Sequence, residues 1–118
     1  MKLILPKPPT TNQYYRITGR GGFGKMYISK EGKDWQEESL WKIKQQRTEK
    51  TPITTECEVW ITTYTSTWRD ADASTKQTVD ILQTAKVIEN DKLFYAIHAL
   101  REKCKKGEDK VVVEILGY

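Results

Sequence analysis

Residues 53–65 read ITTECEVWITTYT, and the assignment of this stretch decides the fold. It is rich in β-branched and aromatic side chains, and its apolar residues alternate through Cys57, Val59 and Ile61. That period of two predicts a strand with one buried face. Pro52 sets its start, because proline cannot donate to a ladder. The segment that follows, TSTWRDADASTKQTVDILQTA (65–85), changes period. A helix over Ala73–Ala85 places Val79, Leu82 and Ala85 on one face, so a strand feeds a helix here.

The flanking sequence builds the remaining elements. KLIL (2–5) reads as a short strand ended by Pro6, Pro8 and Pro9. TNQYYRITGRGGFGKMYIS (11–29) reads as two short extended pieces around a glycine-rich turn. From Glu31 to about Thr48 the composition is helical, with Trp35, Leu40, Trp41 and Ile43 as its buried side. KLFYAIHALREKC (92–104) fits either period, and a strand is favoured. KKGED (105–109) reads as a hairpin turn, and VVVEIL (111–116) is plainly strand-like. The predicted order is β-β-α-β-α-β-β, an α+β fold with two helices packed on one face of a mixed sheet and residues 1–118 forming a single domain.

Composition narrows the function classes. Of 118 residues, 20 are Lys or Arg and 16 are Asp or Glu, a net charge of +4. This mild excess is compatible with a polyanionic partner without establishing one. Cys57 and Cys104 are the only cysteines, too few for a disulfide framework or a thiolate zinc site, and they read as buried free thiols. His98 is the only histidine and reads as structural or surface, which argues against zinc hydrolase and histidine-based nucleophilic schemes. The opening MKLILPKPP is too short for a signal peptide and no apolar run reaches membrane-spanning length, so the expectation is a cytoplasmic protein with no membrane partner. GRGGFG (19–24) satisfies G-x-G-x-x-G, but no buried strand leads in and no helix follows at its third glycine. No nucleotide cofactor is expected.

The chemistry concentrates in Asp70-Ala71-Asp72-Ala73-Ser74-Thr75-Lys76. With both aspartates at the end of the strand, side chains two apart share a face and their carboxylates converge. Like charges held together call for a cation, and Lys76 in the first turns of the helix can reach back to Asp72. Mg²⁺ suits such a site, since it takes one or two carboxylates plus phosphate oxygens and water. Metal-assisted phosphodiester cleavage is the chemistry these residues suggest. Three structural readings stand beside it: Asp72 caps the helix, Asp70 pairs with Arg69, and Lys76 pairs with Asp80.

This run, together with the turn Glu89-Asn90-Asp91 and the opening LPKPPTTNQYYR (5–16), resembles the RusA family of Holliday junction resolvases. The resemblance implies that Asp70, Asp72 and Asp91 bind metal, Mg²⁺ with Mn²⁺ as the alternative, and that Lys76 is the catalytic cation. It implies a homodimer that nicks two opposed strands of four-way junction DNA in recombination and repair. The family usually has Asn after the second Asp, where this chain has Ala73. Two other readings remain open: a nuclease preferring flaps or forks, and a junction-binding protein with weak or no cleavage.

In that setting Arg16, Arg20, Lys25 and Arg69 are candidate DNA-binding residues, the first three on a basic flap built around the glycine turn. Arg101 to Lys106 reads as a solvated turn region that could add phosphate contacts. Trp68 reads as a core or dimer-interface residue, with stacking on an unpaired base as the alternative. Trp35, Trp41 and Trp60 are assigned to the core or dimer contact. Asp34, Glu37 and Glu38 read as a solvated helix face.

Overall fold

The strand predicted from residues 53–65 forms as β4 (Cys57–Thr65), and its alternation buries Cys57, Val59, Ile61, Thr63 and Thr65 on one face. In this computed structural model, which describes residues 1–18 and 25–118, β4 is a central strand. β6 (Lys110–Leu116) pairs antiparallel on one side of it and β5 (Phe94–Lys103) pairs parallel on the other. β1 (Lys2–Leu5) joins β6 antiparallel, giving the order β1-β6-β4-β5. Ile61 faces Val113 on one neighbour and Ala99 on the other, so the inward side chains form rows across the sheet. Leu3, Leu5, Val111, Val113 and Ile115 complete that buried face. Each such aliphatic side chain contributes about 1.5–3 kcal/mol when fully buried.

Two helices cover this face. α2 (Lys30–Gln46) is capped by Ser29, whose Oγ accepts from the Gly32 N–H at 3.1 Å and donates to the Gln13 carbonyl. Its buried stripe is Gly32, Trp35, Ser39 and Ile43, a spacing of three and four. Trp41 lies off that stripe and is exposed, and Leu40 is half-buried, so the expected inner face is corrected at Trp41. Trp35 donates its indole N–H to the Pro6 carbonyl at 2.7 Å. Gln46 bonds both the N–H and the carbonyl of Ile4, at 2.7 Å each, which satisfies the free edge of β1. α3 (Thr75–Thr84) makes the crossover from β4 to its parallel neighbour β5 and buries Gln77, Thr78, Val79, Ile81 and Leu82.

The segment before α2 holds one unexpected element. α1 (Thr11–Tyr14) is a single helical turn with a capping box between Thr10 and Gln13, and it puts Tyr14 into the core. β2 (Tyr15–Thr18) and β3 (Lys25–Ile28) follow as a separate antiparallel pair, the two extended pieces read from the sequence. The glycine-rich turn joining them, 19–24, lies outside the described residues.

Two further expectations are corrected. Residues 53–56 are not strand; Ile53 makes only a bridge to Ile88, with its N–H bonded to the Val87 carbonyl at 2.9 Å. KKGED is a turn, with Gly107 at φ +89°, but it does not close a hairpin, because β5 and β6 lie on opposite sides of β4. The apolar β4 takes the centre and leaves its successors to flank it. That ordering is a property of the whole sheet and not of the turn.

Candidate active site

β4 and β5 run parallel, so their carboxyl ends lie together: Thr63 is opposite Arg101, and Thr65 is opposite Lys103. The crevice beyond such ends is where open α/β sheets mount ligands. Here it receives the loop 66–74 that carries Asp70 and Asp72. Strand pairing stops at Thr65, and the chain then bends. The Ala73 N–H bonds the Asp70 carbonyl and the Thr75 N–H bonds the Asp72 carbonyl, both at 3.1 Å, leading into α3. The two aspartates therefore sit in a turn with exposed side chains, not at an extended strand end. The alternation that was to bring them together does not operate. Helix α3 begins at Thr75 and not at Ala73.

Several bonds hold this loop in place. Lys7, in the proline-rich opening, meets Asp109 at 2.5 Å and also bonds the Thr65 hydroxyl at 3.3 Å. Asp109 also serves the loop, because the same carboxyl oxygen accepts from the Ser66 N–H at 3.2 Å. The bond from Lys7 holds the Asp109 carboxyl well below the usual carboxylate range, with Ser66 adding to it against the cost of desolvation. Arg69 donates to the Pro8 carbonyl at 2.9 Å, and Arg101 donates to the Arg69 carbonyl at 2.7 Å. Burial pulls the Arg69 guanidinium below its ordinary value, opposed by the charge of Asp109. Arg69 thus tethers the loop through one guanidinium nitrogen.

The catalytic candidates beyond the loop come from α3 and the turn after it. Lys76 projects its ammonium over the Tyr15 ring, 4.7 Å from the centroid. Asp91 opens a short 3₁₀ turn, Asp91–Leu93, and its N–H bonds the side-chain oxygen of Gln83 at 2.9 Å. One helical turn beyond Lys76 stands Asp80, which the sequence reading considered only as a partner for Lys76. Desolvation pushes the Asp80 carboxyl up, Lys76 pulls it down, and Asp91 pushes it up again. Lys76, Asp80 and Asp91 therefore share one electrostatic neighbourhood.

None of the three structural alternatives forms among the described residues. The helix cap position is occupied by Ser74, without a side-chain cap bond, and not by Asp72. Arg69 turns to Pro8 and not to Asp70. The ion pairs present are Lys7–Asp109 and His98–Glu58. Among the described residues, Asp70, Asp72 and Asp91 thus make no side-chain ion pair. Their hard oxygen chemistry fits Mg²⁺ or Mn²⁺. Among the described residues, however, no three acidic, histidine or cysteine side chains are gathered as a ready metal cluster.

The other candidates are distributed as follows. Arg16 is exposed on β2, Arg20 lies outside the described residues, and Lys25 begins β3. Trp68 is exposed and stacks on Arg101, so it is not a core residue. His98 bonds Glu58 at 3.0 Å and stacks on Trp60 at 3.8 Å, the structural role expected of it. Cys57 is a buried free thiol, as expected, while Cys104 is a half-buried one. No described helix is long and apolar enough to cross a membrane. Sequence pattern does not mark Lys7 and Asp109 as tethers, and it marks Arg101 only as part of a basic run, because their partners are distant along the chain.

Comparison with known proteins identifies the family of the chain. The family described as Endodeoxyribonuclease RusA matches residues 6–116. The crossover junction endodeoxyribonuclease RusA of Aquifex aeolicus (strain VF5) is 26% identical over 115 residues, covering 97% of this chain and 85% of that relative. With nearly the whole chain matched, including the proline-rich opening, the Asp70–Lys76 run and the Asp91 turn, this protein belongs to the RusA endodeoxyribonuclease family.

Proposed function

We propose that this protein is a metal-dependent, homodimeric endonuclease that resolves four-way DNA junctions by paired, symmetric nicks. The observation that supports it best is the loop 66–74. It carries two carboxylates at the ends of parallel strands and is fixed by Lys7, Asp109 and Arg101 in a chain of an endodeoxyribonuclease family.

In this reading Asp70, Asp72 and Asp91 hold Mg²⁺, with Mn²⁺ as a substitute. When bound, the ion supplies Lewis acidity toward the phosphate and lowers the pKa of a bound water. Lys76 is held over Tyr15 beside Asp80, where its ammonium can offset charge developing on the phosphate. Holding an ion would require these carboxylates to approach one another, since they are not gathered among the described residues. The tethered loop limits how much ordering that requires. Arg16, Arg20 and Lys25 would add phosphate contacts that position DNA without reading its sequence. Affinity should therefore fall steeply with salt.

A second reading, a junction binder that cuts poorly, is favoured by one observation: the three carboxylates are not gathered beforehand. A cleavage panel of four-way, flap, fork and duplex substrates, with Mg²⁺ and with chelator, separates the readings. Metal-dependent nicks on the four-way substrate support the resolvase, and nicks on flaps or forks alone replace it with a different nuclease. Tight junction binding without nicks on any substrate leaves a binding module.

A further inference from the structure

Among the described residues Trp68 is the large hydrophobic side chain least covered by the protein, at 80% exposure, although it stands on a loop pinned on both sides. The Thr67 N–H bonds the Thr65 hydroxyl at 3.3 Å, Arg69 is tied to Pro8, and Arg101 is bonded to the Arg69 carbonyl. The indole is thus presented to solvent by an ordered backbone. One of its faces is backed by Arg101, whose guanidinium carbon lies 4.0 Å from the ring. At this exposure the opposite face is open. Beside it runs a groove of about 510 Å³ lined in part by Pro8, Pro9, Thr67 and Arg69.

An aromatic plane with a cation behind it suits a flat ring that carries a negative backbone. Nucleic-acid bases are such rings, and base–aromatic stacking is insensitive to sequence because every base has a π-face. In an intact duplex both faces of each base are already stacked, so only an unpaired or splayed base can use the platform. The surroundings favour a polyanion over an apolar protein partner: Lys7 and Arg69 line the groove against the single acid Glu31, and Arg101 and Lys103 extend along β5 beside the end of β4. Trp68 also precedes Asp70 by two positions, which places a captured base next to the carboxylate loop.

We propose that Trp68, backed by Arg101, is a stacking platform for one unpaired base at the branch point of the DNA. It positions the strand that enters the Asp70–Asp72 loop. The platform rests on the junction reading for its biological setting, but its chemistry requires only an unpaired base. Trp68 is a positioning residue, since it touches no reacting atom.

The test uses the full chain carrying Asp70→Asn, with three DNAs: a four-way junction, a duplex with a single-stranded gap, and a perfect duplex. Each carries 2-aminopurine at the branch, in the gap or in the paired stem. The expected result of adding Trp68→Ala is a loss of about tenfold or more in affinity for the junction and the gapped duplex. The fluorescence change at the unpaired position disappears with it, while perfect-duplex binding holds. Trp68→Phe restores most of both signals.

Unchanged binding to all three DNAs overturns the platform, and so does an equal loss on all three, which would mark a general phosphate contact. A halved sedimenting mass in Trp68→Ala also overturns it, because the indole would then be a dimer contact. A protein that does not prefer the junction, yet loses gap and junction binding together in Trp68→Ala, keeps the platform and loses the junction reading. Junction preference that survives Trp68→Ala intact does the reverse.

Discussion

Asp109 shows how one residue far from the chemistry can govern it. Its carboxyl takes the Lys7 ammonium and the Ser66 N–H together, so it joins the start of the chain to the end of β4, where the loop carrying Asp70 and Asp72 departs. A carboxyl held below its ordinary range contributes stability that is fully present above its unfolded pKa, about 3.9 for Asp, and is lost as acid drives the pH down toward the folded value. Asp109→Asn should therefore lower stability at neutral pH, and its deficit relative to the parent should shrink as pH falls below about 4. Urea melts across that range check this. A deficit that stays constant with pH would show that the carboxylate charge is not what stabilises the loop. Nothing local marks this pair, since its members stand near opposite ends of the chain. The acids of the site were legible for the opposite reason, being crowded into one short run.

Among the elements, α2 and α3 each carry a feature that sequence pattern alone misjudges. Gly32 lies inside α2, where alanine would gain up to about 1 kcal/mol of helix propensity. A Cβ there would lie 2.9 Å from the Tyr14 carbonyl oxygen and 2.7 Å from the Ile28 side chain. The backbone oxygen cannot swing aside, and overpacking costs about 1–3 kcal/mol. Gly32→Ala should destabilise by about 1 kcal/mol net in chemical melts. A stabilised variant would mean that α1 is free to shift.

Polar groups are buried on β4 and at α3 where aliphatic ones might have been. Among the described residues, the hydroxyl oxygens of Thr63, Ser74 and Thr78 are buried without a hydrogen-bond partner. Thr63→Val keeps the shape and removes such a group, so it should raise stability by about 1 kcal/mol. A lower melting temperature for that variant would show that its hydroxyl is paired.

Element identity was mostly legible here, because β4, β6 and α3 announce their periods. α1 is not legible, because its capping box at Thr10 and Gln13 lies inside a run that otherwise reads as extended.

At the scale of the whole molecule, the sequence specified the kinds of element better than their arrangement. The α+β class follows from the alternation of strand and helix periods, but the sheet order β1-β6-β4-β5 does not. Which strand takes the centre depends on competition among all of them for the helix-covered face. The turn after β5, which looked like a hairpin, instead carries the chain across to the far side of β4. The same distinction holds for the site. Asp70, Asp72 and Lys76 stand out by residue type and spacing and Asp91 only by the family resemblance, but the strand-end geometry meant to unite the two aspartates is replaced by a turn. What the parallel ends of β4 and β5 supply is a fixed mounting for that turn beside a basic edge.

The central claim is that this mounted loop holds a metal that cuts branched DNA. The most direct measurement is cleavage of an end-labelled four-way junction by the purified protein with Mg²⁺, beside Asp70→Asn. The account predicts paired, symmetric nicks that depend on the ion and vanish in the variant, while junction binding persists. Equal nicking by both proteins would remove Asp70 from the metal site, and tight binding without nicks in either would contradict the nuclease itself.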